Sequence, residues 1–171
     1  GIPIGQCVFI WEDGDRFEGI FEIGKTVSGK GSITYNDGDI YEGEWEDWLP
    51  DGNGKMLTGD GDEYNGNWSK GNIEGQGTIK FKDGRVYSGD LKDSLPHGKG
   101  KIYNDNGEEY NGDWWYGDKM GIGKYIFSDG SNYEGEFFKD SIYGNGIFYE
   151  SEGNIFRGYF KDGEYWDGIL K

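Results

Sequence analysis

The residues that could act as a nucleophile or a general base are few in this chain. Its 171 residues include one histidine, His97, and one cysteine, Cys7. They lie far apart along the chain, so in repeats laid end to end they cannot form a Cys–His pair. A serine nucleophile such as Ser94 needs a base, and His97 reads as a turn residue before Gly98. We therefore predict structural roles for Cys7, Ser94 and His97, and no catalytic site.

Acidic side chains are abundant and could support calcium binding or glycoside hydrolysis. The loops Asn36-Asp-Gly-Asp39 and Asp60-Gly-Asp-Glu63 resemble fragments of calcium loops. An EF-hand needs a glutamate at position twelve, but counting from Asp37 reaches Trp48, and Asp-Gly hairpin turns explain both loops. Paired carboxylates can hydrolyse glycosides, but surface glutamates that face cross-strand lysines are the ordinary arrangement. We expect no metal, no cofactor and no enzymatic activity.

Aromatic side chains at fixed spacing are the strongest candidates for a binding site. Aromatic residues make up 18% of the chain. Trp and Tyr are enriched at binding hot spots, and large exposed apolar patches mark interaction sites. Most of the rings must form the protein's own core, and the hypothesis is that part of their surface stays open as a groove. The residues predicted to line this groove are Tyr41, Trp45, Tyr64, Trp68, Tyr87, Tyr110, Trp114, Tyr133 and Phe137.

A repeat of 23 residues positions these rings. One phrase occurs seven times: an aromatic residue, any residue, glycine, any residue and a bulky apolar residue, as in Tyr41-Glu-Gly-Glu-Trp45. A fixed period held across the chain indicates a repeat array. We predict one domain over 1–171, with a half-unit at 5–16 and repeats that start near 17, 41, 64, 87, 110, 133 and 156. One step of 24 places an extra residue in a loop between Gly19 and Gly29.

Each repeat is predicted to be a β-hairpin. In the repeat that starts at Tyr64, residues two apart share a face of the first strand, and Asp83-Gly84 is a strong turn signal. Glycines that share a face with an aromatic residue would be sockets over which a ring lies flat. The 34 glycines and the lack of alanine exclude long helices. The predicted fold is all-β: an elongated, twisted, single-layer antiparallel sheet of tandem hairpins.

The repeated phrases resemble the MORN family (membrane occupation and recognition nexus), whose repeat reads approximately Y-x-G-x-W, a short turn and G-x-G-x-x-x-x-x-D-G. The resemblance covers essentially the whole chain, and His97-Gly-Lys-Gly100 is a typical second-strand opening. Leu91 departs from the pattern by replacing an aromatic residue, and Asn104 and Glu150 stand where Phe81 lies in the repeat from Tyr64. The resemblance implies a scaffold for cytoskeletal, ciliary or membrane-junction assemblies, or an accessory domain of an enzyme, and many such arrays bind a peptide or helix along a groove.

A net charge of −16 limits the partners of this chain. It repels nucleic-acid phosphates and anionic membranes, so we expect no nucleic-acid binding and disfavour membrane association. A basic or amphipathic protein segment fits the charge, and exposed sheet edges could support self-association.

We therefore predict a non-catalytic, cytoplasmic scaffold that binds a peptide or helix along the aromatic groove. Association with the cytoskeleton, a cilium or a membrane would come through its partner. One alternative is a regulatory or targeting domain of a larger enzyme. The other is a module that recruits the protein to phosphoinositides in a membrane.

Overall fold

The computed structural model describes residues 4–23 and 27–166, and all of their regular structure is β-strand. The strands follow one another in an open antiparallel sheet in chain order, so the predicted fold class is confirmed. Their bounds are β1 Ile4–Ile10, β2 Arg16–Ile23, β3 Val27–Thr34, β4 Ile40–Glu46, β5 Leu49–Leu57, β6 Glu63–Ser69, β7 Asn72–Lys80, β8 Val86–Lys92, β9 Leu95–Tyr103, β10 Glu109–Trp115, β11 Asp118–Ile126, β12 Asn132–Phe138, β13 Ser141–Tyr149, β14 Ile155–Lys161 and β15 Glu164–Trp166.

The chain divides into two compact units. The first comprises residues 1–83 with 91–94, and the second comprises 84–90 with 95–171. Each unit is a run of the same hairpins, and a single domain over 1–171 stays a prediction. The loop residue predicted between Gly19 and Gly29 falls in a stretch that includes 24–26, which lie outside the described residues.

Two kinds of turn join the strands. Inside a repeat, two residues with positive φ make the turn: Lys70 and Gly71 have φ of 49° and 86°, and Asp47 and Trp48 have φ of 52° and 66°. This is the type I′ geometry that matches the twist of an antiparallel pair. A left-handed backbone is rare for a residue as bulky as Trp48, and it fixes where that side chain leaves the sheet.

Between repeats, the Asp-Gly loops are held together by their own carboxylates. In the first unit the Asp39 carboxylate accepts a hydrogen bond from the Gly59 N–H at 2.8 Å, and the Asp62 carboxylate accepts one from the Lys82 N–H at 2.9 Å. Each acid thus bonds to the backbone of the following loop. These hydrogen bonds give the acidic loops a structural role that needs no metal ion.

The two glycines of a Gly-x-Gly motif have different roles, as β10 and β11 show: the first lies in a β-bulge and the second lies under an aromatic ring. The strand register shifts between Gly112 and Asp113, where β11 has the extra residues Gly121 and Ile122, and Gly121 in this bulge has φ of +64°. The Asp113 carboxylate fixes the bulge by accepting a hydrogen bond from the Ile122 N–H at 2.9 Å. Gly123 pairs directly with Gly112, and a Cβ on either glycine would overlap the ring of Tyr110.

Tyr110 therefore lies on a glycine pair, and its hydroxyl donates to the Asp113 carbonyl at 2.8 Å. Tyr41, Tyr87 and Tyr133 lie in the same way on the glycine pairs of their own repeats. All four side chains are fully buried. The predicted role of these glycines as sockets for aromatic rings is confirmed.

The seated rings pack edge-to-face against their neighbours and form what we call the aromatic ladder of each unit. The ring of Tyr110 lies 5.2 Å from that of Trp114 in its own repeat and 4.9 Å from that of Phe137 in the next. Such contacts stabilise beyond area burial, by about 0.5–1.5 kcal/mol each. The ladder residues are Phe17, Tyr41, Trp45 and Trp68 in the first unit, and Tyr87, Tyr110, Trp114, Tyr133, Phe137 and Phe160 in the second.

The repeat that starts at Tyr64 is the exception. The side chain of Leu91 occupies the space over Gly77, and Leu91 is as buried as an aromatic ladder residue. Tyr64 is only half-buried. The Trp68 Nε1–H has no hydrogen-bond partner among the described residues, whereas that of Trp114 donates to the Gly100 carbonyl at 2.9 Å.

We predict that Gly123→Ala destabilises the protein by about 3 kcal/mol, because an added methyl group must displace the Tyr110 ring from a packed core. Urea unfolding followed by circular dichroism measures the change. Gly5→Ala is the matched control, since a Cβ at Gly5 meets no atom within 4 Å. Equal stability of the two variants would contradict the seating of Tyr110 on its glycine pair.

Candidate functional site: an aromatic pocket with acidic loops

Eight of the nine residues predicted to line the groove are buried. Trp45 is 5% exposed and Trp68 and Trp114 are each 6% exposed. The open ring surface expected for these three tryptophans is therefore not present. Tyr64 alone of the nine is partly exposed. A role for the nine residues in binding a partner stays a prediction.

Some of the accessible aromatic side chains lie near the ends of the second strands, next to the Asp-Gly loops, while others, such as Trp115 and Phe138, lie beside the turns inside the repeats. Trp11, Tyr35 and Phe127 each stand three residues before the glycine of such a loop, and all three are exposed or half-buried. They lie outside the Tyr-x-Gly-x-Trp phrase, which is why they were not selected from the sequence. Their constant distance from the loop glycine is the signal that could have identified them.

In the first unit these side chains open onto a pocket of about 570 Å³. We call it the aromatic pocket. Its lining residues are Phe9, Trp11, Phe17, Ile33, Tyr35, Trp45 and Trp48. Phe17, Ile33 and Trp45 are buried and form its floor, while the other four are accessible and form its walls.

The walls of the aromatic pocket are set at steep angles to one another. Trp48, from the turn between β4 and β5, lies with its ring 5.3 Å from that of Phe9 and 6.4 Å from that of Trp11, both at nearly right angles. Trp48 is 44% exposed and Trp11 40% exposed. The pocket therefore presents both ring faces and ring edges to a bound group.

Acidic loops adjoin the aromatic pocket. Burial raises the pKa of the Tyr35 hydroxyl, and the carboxylates of Asp15, Asp39 and Asp37 raise it further. The loops at 11–15 and 35–39 together contain five Asp or Glu residues and no Lys or Arg. A positively charged group would therefore be attracted to this end of the first unit.

The second unit places a lysine of its own among aromatic rings. The Lys119 ammonium lies 5.7 Å from the ring centre of Tyr110, 6.0 Å from that of Trp114 and 5.7 Å from that of Tyr125. It also pairs with the Asp140 carboxylate at 3.5 Å, with one-fifth of the lysine side chain exposed. A cavity of about 300 Å³ adjoins it. The corresponding residues of other repeats are Pro50, Ile73, Pro96, Ile142 and Tyr165.

The residues considered for nucleophilic chemistry have structural contacts. His97 Nδ1 accepts a hydrogen bond from the Tyr116 N–H at 3.4 Å, and its ring packs against those of Trp115 and Tyr116. The Ser94 hydroxyl accepts one from the Ile73 N–H at 3.3 Å. Cys7 lies in β1 and its side chain is outside the described residues.

Surface carboxylates pair with lysines across the strands, as expected. Lys124 and Glu134 are direct partners on β11 and β12 at 2.7 Å, and Lys101 and Glu109 lie 2.8 Å apart on β9 and β10. Exposed pairs of this kind contribute at most about 1 kcal/mol each. Within residues 4–23 and 27–166 no cluster of three or more His, Cys, Asp or Glu side chains could hold a metal ion. The same residues include no helix of the length and apolarity needed to cross a bilayer.

The model of the MORN repeat matches six segments of this chain, at residues 1–16, 28–40, 41–63, 64–84, 87–109 and 110–132. The resemblance seen in the sequence is thereby confirmed. No curated protein sequence matches the chain.

Two solved structures are similar to this chain at low identity. The TCP domain of SAS-4 (dCPAP) from Drosophila melanogaster, solved in complex with a proline-rich motif of Ana2 (dSTIL), is 12% identical with a TM-score of 0.47. That match covers 90% of this chain and 89% of the other. A point mutant of the TCP10 domain of CPAP from Danio rerio is 15% identical with a TM-score of 0.29, covering 89% and 98%. Both TM-scores are below 0.5, and no conclusion about function rests on them.

We predict that the protein loses stability as the pH rises above 10. Burial is the main cause that raises the pKa of Tyr133 to about 12 and raises the pKa values of Tyr41, Tyr87 and Tyr110 as well. Between pH 10 and the folded-state values, these tyrosines bind more protons when folded than when unfolded, so stability falls as pH rises. Tyr133→Phe should make this fall less steep. Urea unfolding from pH 8 to 11 measures it, and equal slopes for the two proteins would contradict the prediction.

We also predict that Lys119→Ile leaves stability within about 1 kcal/mol of the wild type or increases it, since an apolar group can replace a partly buried ion pair at little cost. Asp140 keeps its hydrogen bond from the backbone N–H of residue 119, at 3.0 Å. Thermal unfolding measures the effect, with Lys119→Ala as the control that leaves a cavity. A loss well above 2 kcal/mol for the isoleucine variant would show that the ammonium is required among the rings.

Proposed function

Because this chain belongs to the MORN-repeat family, whose model matches more than half of its residues, we propose that it is a non-catalytic scaffold that binds a basic or amphipathic segment of a partner protein. The MORN repeat builds interaction modules, and this coarse role follows from the family. Beyond this coarse role, we propose that the binding site is aromatic and that the bound segment is basic or amphipathic.

The observation that carries the proposal is the aromatic pocket with its adjoining acidic loops. Aromatic rings that remain accessible offer apolar contact area at a low cost in side-chain entropy. The acids at 11–15 and 35–39 attract a cationic partner and raise its association rate. An amphipathic segment with apolar and basic residues satisfies both features, whereas an acidic segment satisfies one.

The nine residues predicted from the sequence take two roles in this proposal. Tyr64 contacts the partner through its exposed ring surface. The other eight, which are buried, hold the shape of the sheet under the accessible rings Trp11, Tyr35 and Phe127. The proposed place of action is the cytoplasm, where a partner would bring the protein to the cytoskeleton, a cilium or a membrane.

Binding of two synthetic helical peptides tests this proposal. Both carry the same apolar face, one with lysines and the other with glutamates on the polar face, and fluorescence anisotropy measures the dissociation constants. The lysine peptide should bind at least tenfold more tightly, with an affinity that falls as salt rises because the charges are screened. Equal binding of both peptides would contradict the proposed role of the acidic loops.

Variants locate the binding face in the first unit. Trp11→Ala and Tyr35→Ala should each weaken binding of the lysine peptide by about tenfold, a typical effect of removing an aromatic hot spot. Ile20→Ala is the matched control, because its side chain is exposed on the opposite face of β2. If the isoleucine variant loses as much affinity as the aromatic ones, the partner binds the opposite face.

A further inference from the structure

The aromatic pocket of the first unit has the geometry to hold a cation against ring faces. Phe9, Trp11, Tyr35 and Trp48 form its accessible walls, and the ring of Trp48 stands nearly perpendicular to those of Phe9 and Trp11. A cation within about 6 Å of several ring centres is attracted by each ring quadrupole, most strongly by tryptophan. Two tryptophans among four walls make this pocket a strong candidate for such contacts.

The chain itself holds an ammonium among three rings in its second unit. Lys119 lies within about 6 Å of the ring centres of Tyr110, Trp114 and Tyr125. That ammonium keeps a carboxylate partner, Asp140, at 3.5 Å. A primary ammonium has three N–H donors, and leaving them without acceptors in a partly buried site is costly.

The aromatic pocket differs from this arrangement in one respect. Among the described residues that line it, none carries a carboxylate or an amide side chain. A primary ammonium that entered the pocket would lose hydration and find few acceptors there. A quaternary ammonium has the same charge, no N–H donor and weaker hydration, so the pocket favours it.

The surrounding charge determines what should carry the quaternary group. The loops at 11–15 and 35–39 beside the pocket contain five acids and no lysine or arginine, and Glu12, Asp13 and Asp37 among them are exposed. They attract a ligand with net positive charge beyond the quaternary group itself. A basic protein segment has that charge, whereas a zwitterionic choline headgroup does not.

We propose that the aromatic pocket binds the trimethylated lysine of a basic protein segment. This inference rests on the proposed function and names the group that the first unit recognises. The trimethylammonium group contacts Trp11 and Trp48, and basic residues on either side of it contact the acidic loops.

Three peptides of identical basic sequence test the proposal on the full chain. The central residue is unmodified lysine, trimethyllysine or the neutral analogue in which carbon replaces the nitrogen of the trimethylammonium group. Isothermal calorimetry should show the trimethyllysine peptide binding roughly tenfold more tightly than either of the others, the size expected for a desolvated cation–π site. Equal affinity of the neutral analogue would overturn the proposal, because the pocket would then recognise only apolar volume.

Substitution of a wall residue locates the effect. Trp48→Leu should abolish the preference for trimethyllysine and Trp48→Phe should retain part of it, with circular dichroism confirming that both remain folded. Trp115→Leu is the matched control, since Trp115 is an exposed tryptophan of the second unit. A preference that survives in Trp48→Leu would overturn the assignment to this pocket.

Three further outcomes separate this inference from the proposed function. If all three peptides bind alike and Trp48→Leu has no effect, the pocket assignment is wrong while binding of basic segments stands. If none of them binds, the inference is wrong, and the helical lysine peptide decides the proposed function independently. The third outcome is that the protein binds phosphatidylcholine vesicles, loses this binding in Trp48→Leu and shows no preference among the peptides. The pocket would then bind a lipid headgroup, and the proposal that its ligand belongs to a protein would be overturned.

Discussion

The seating of a tyrosine ring on a pair of glycines is the contact on which the rest of the structure depends. Tyr110 covers Gly112 and Gly123, and Tyr41, Tyr87 and Tyr133 repeat this contact. A single sheet has no second layer to supply a core, so each repeat must bury its apolar surface against its own backbone. Removing two Cβ atoms brings the ring onto the strands and leaves its hydroxyl within reach of a carbonyl. The same contact sets the spacing of the aromatic ladder.

Because the repeated aromatic residues form the core, the proposed binding surface must be formed by other residues. A ring that is needed to complete the core cannot also offer its faces to a partner, and Tyr110 and Trp114 are accordingly buried. Trp11, Tyr35 and Trp48 lie outside the ladder and remain accessible. Because these positions carry no part of the core of each repeat, their residue types can differ between repeats. Thr58 and Asn104 stand where Trp11 and Tyr35 stand in theirs.

The sequence predicted the hairpins, the turns and the glycine sockets, because each depends on local spacing that the 23-residue period displays. The sequence also identified Leu91 as a departure from the repeat pattern. At this repeat the aromatic ladder is interrupted, and Tyr64 is only half-buried. The sequence did not distinguish buried from accessible rings. Alternation along a strand indicates on which face of the sheet a side chain lies, but it does not indicate which other residues cover that side chain. The aromatic pocket was not predicted, because Trp48 enters it from a turn with positive φ. The direction of the Trp48 side chain depends on the backbone geometry of that turn, which the residue spacing does not give.

The most direct test of this account follows the tryptophan indole N–H signals by NMR as the helical lysine peptide is added. Trp68 and Trp114 belong to the ladder, while Trp11 and Trp48 belong to the aromatic pocket. We predict that the signals of Trp11 and Trp48 shift during the titration, and that those of Trp68 and Trp114 stay in place and exchange slowly with solvent. Large shifts of Trp68 and Trp114 with none at Trp11 and Trp48 would contradict the division of the rings into core and binding surface.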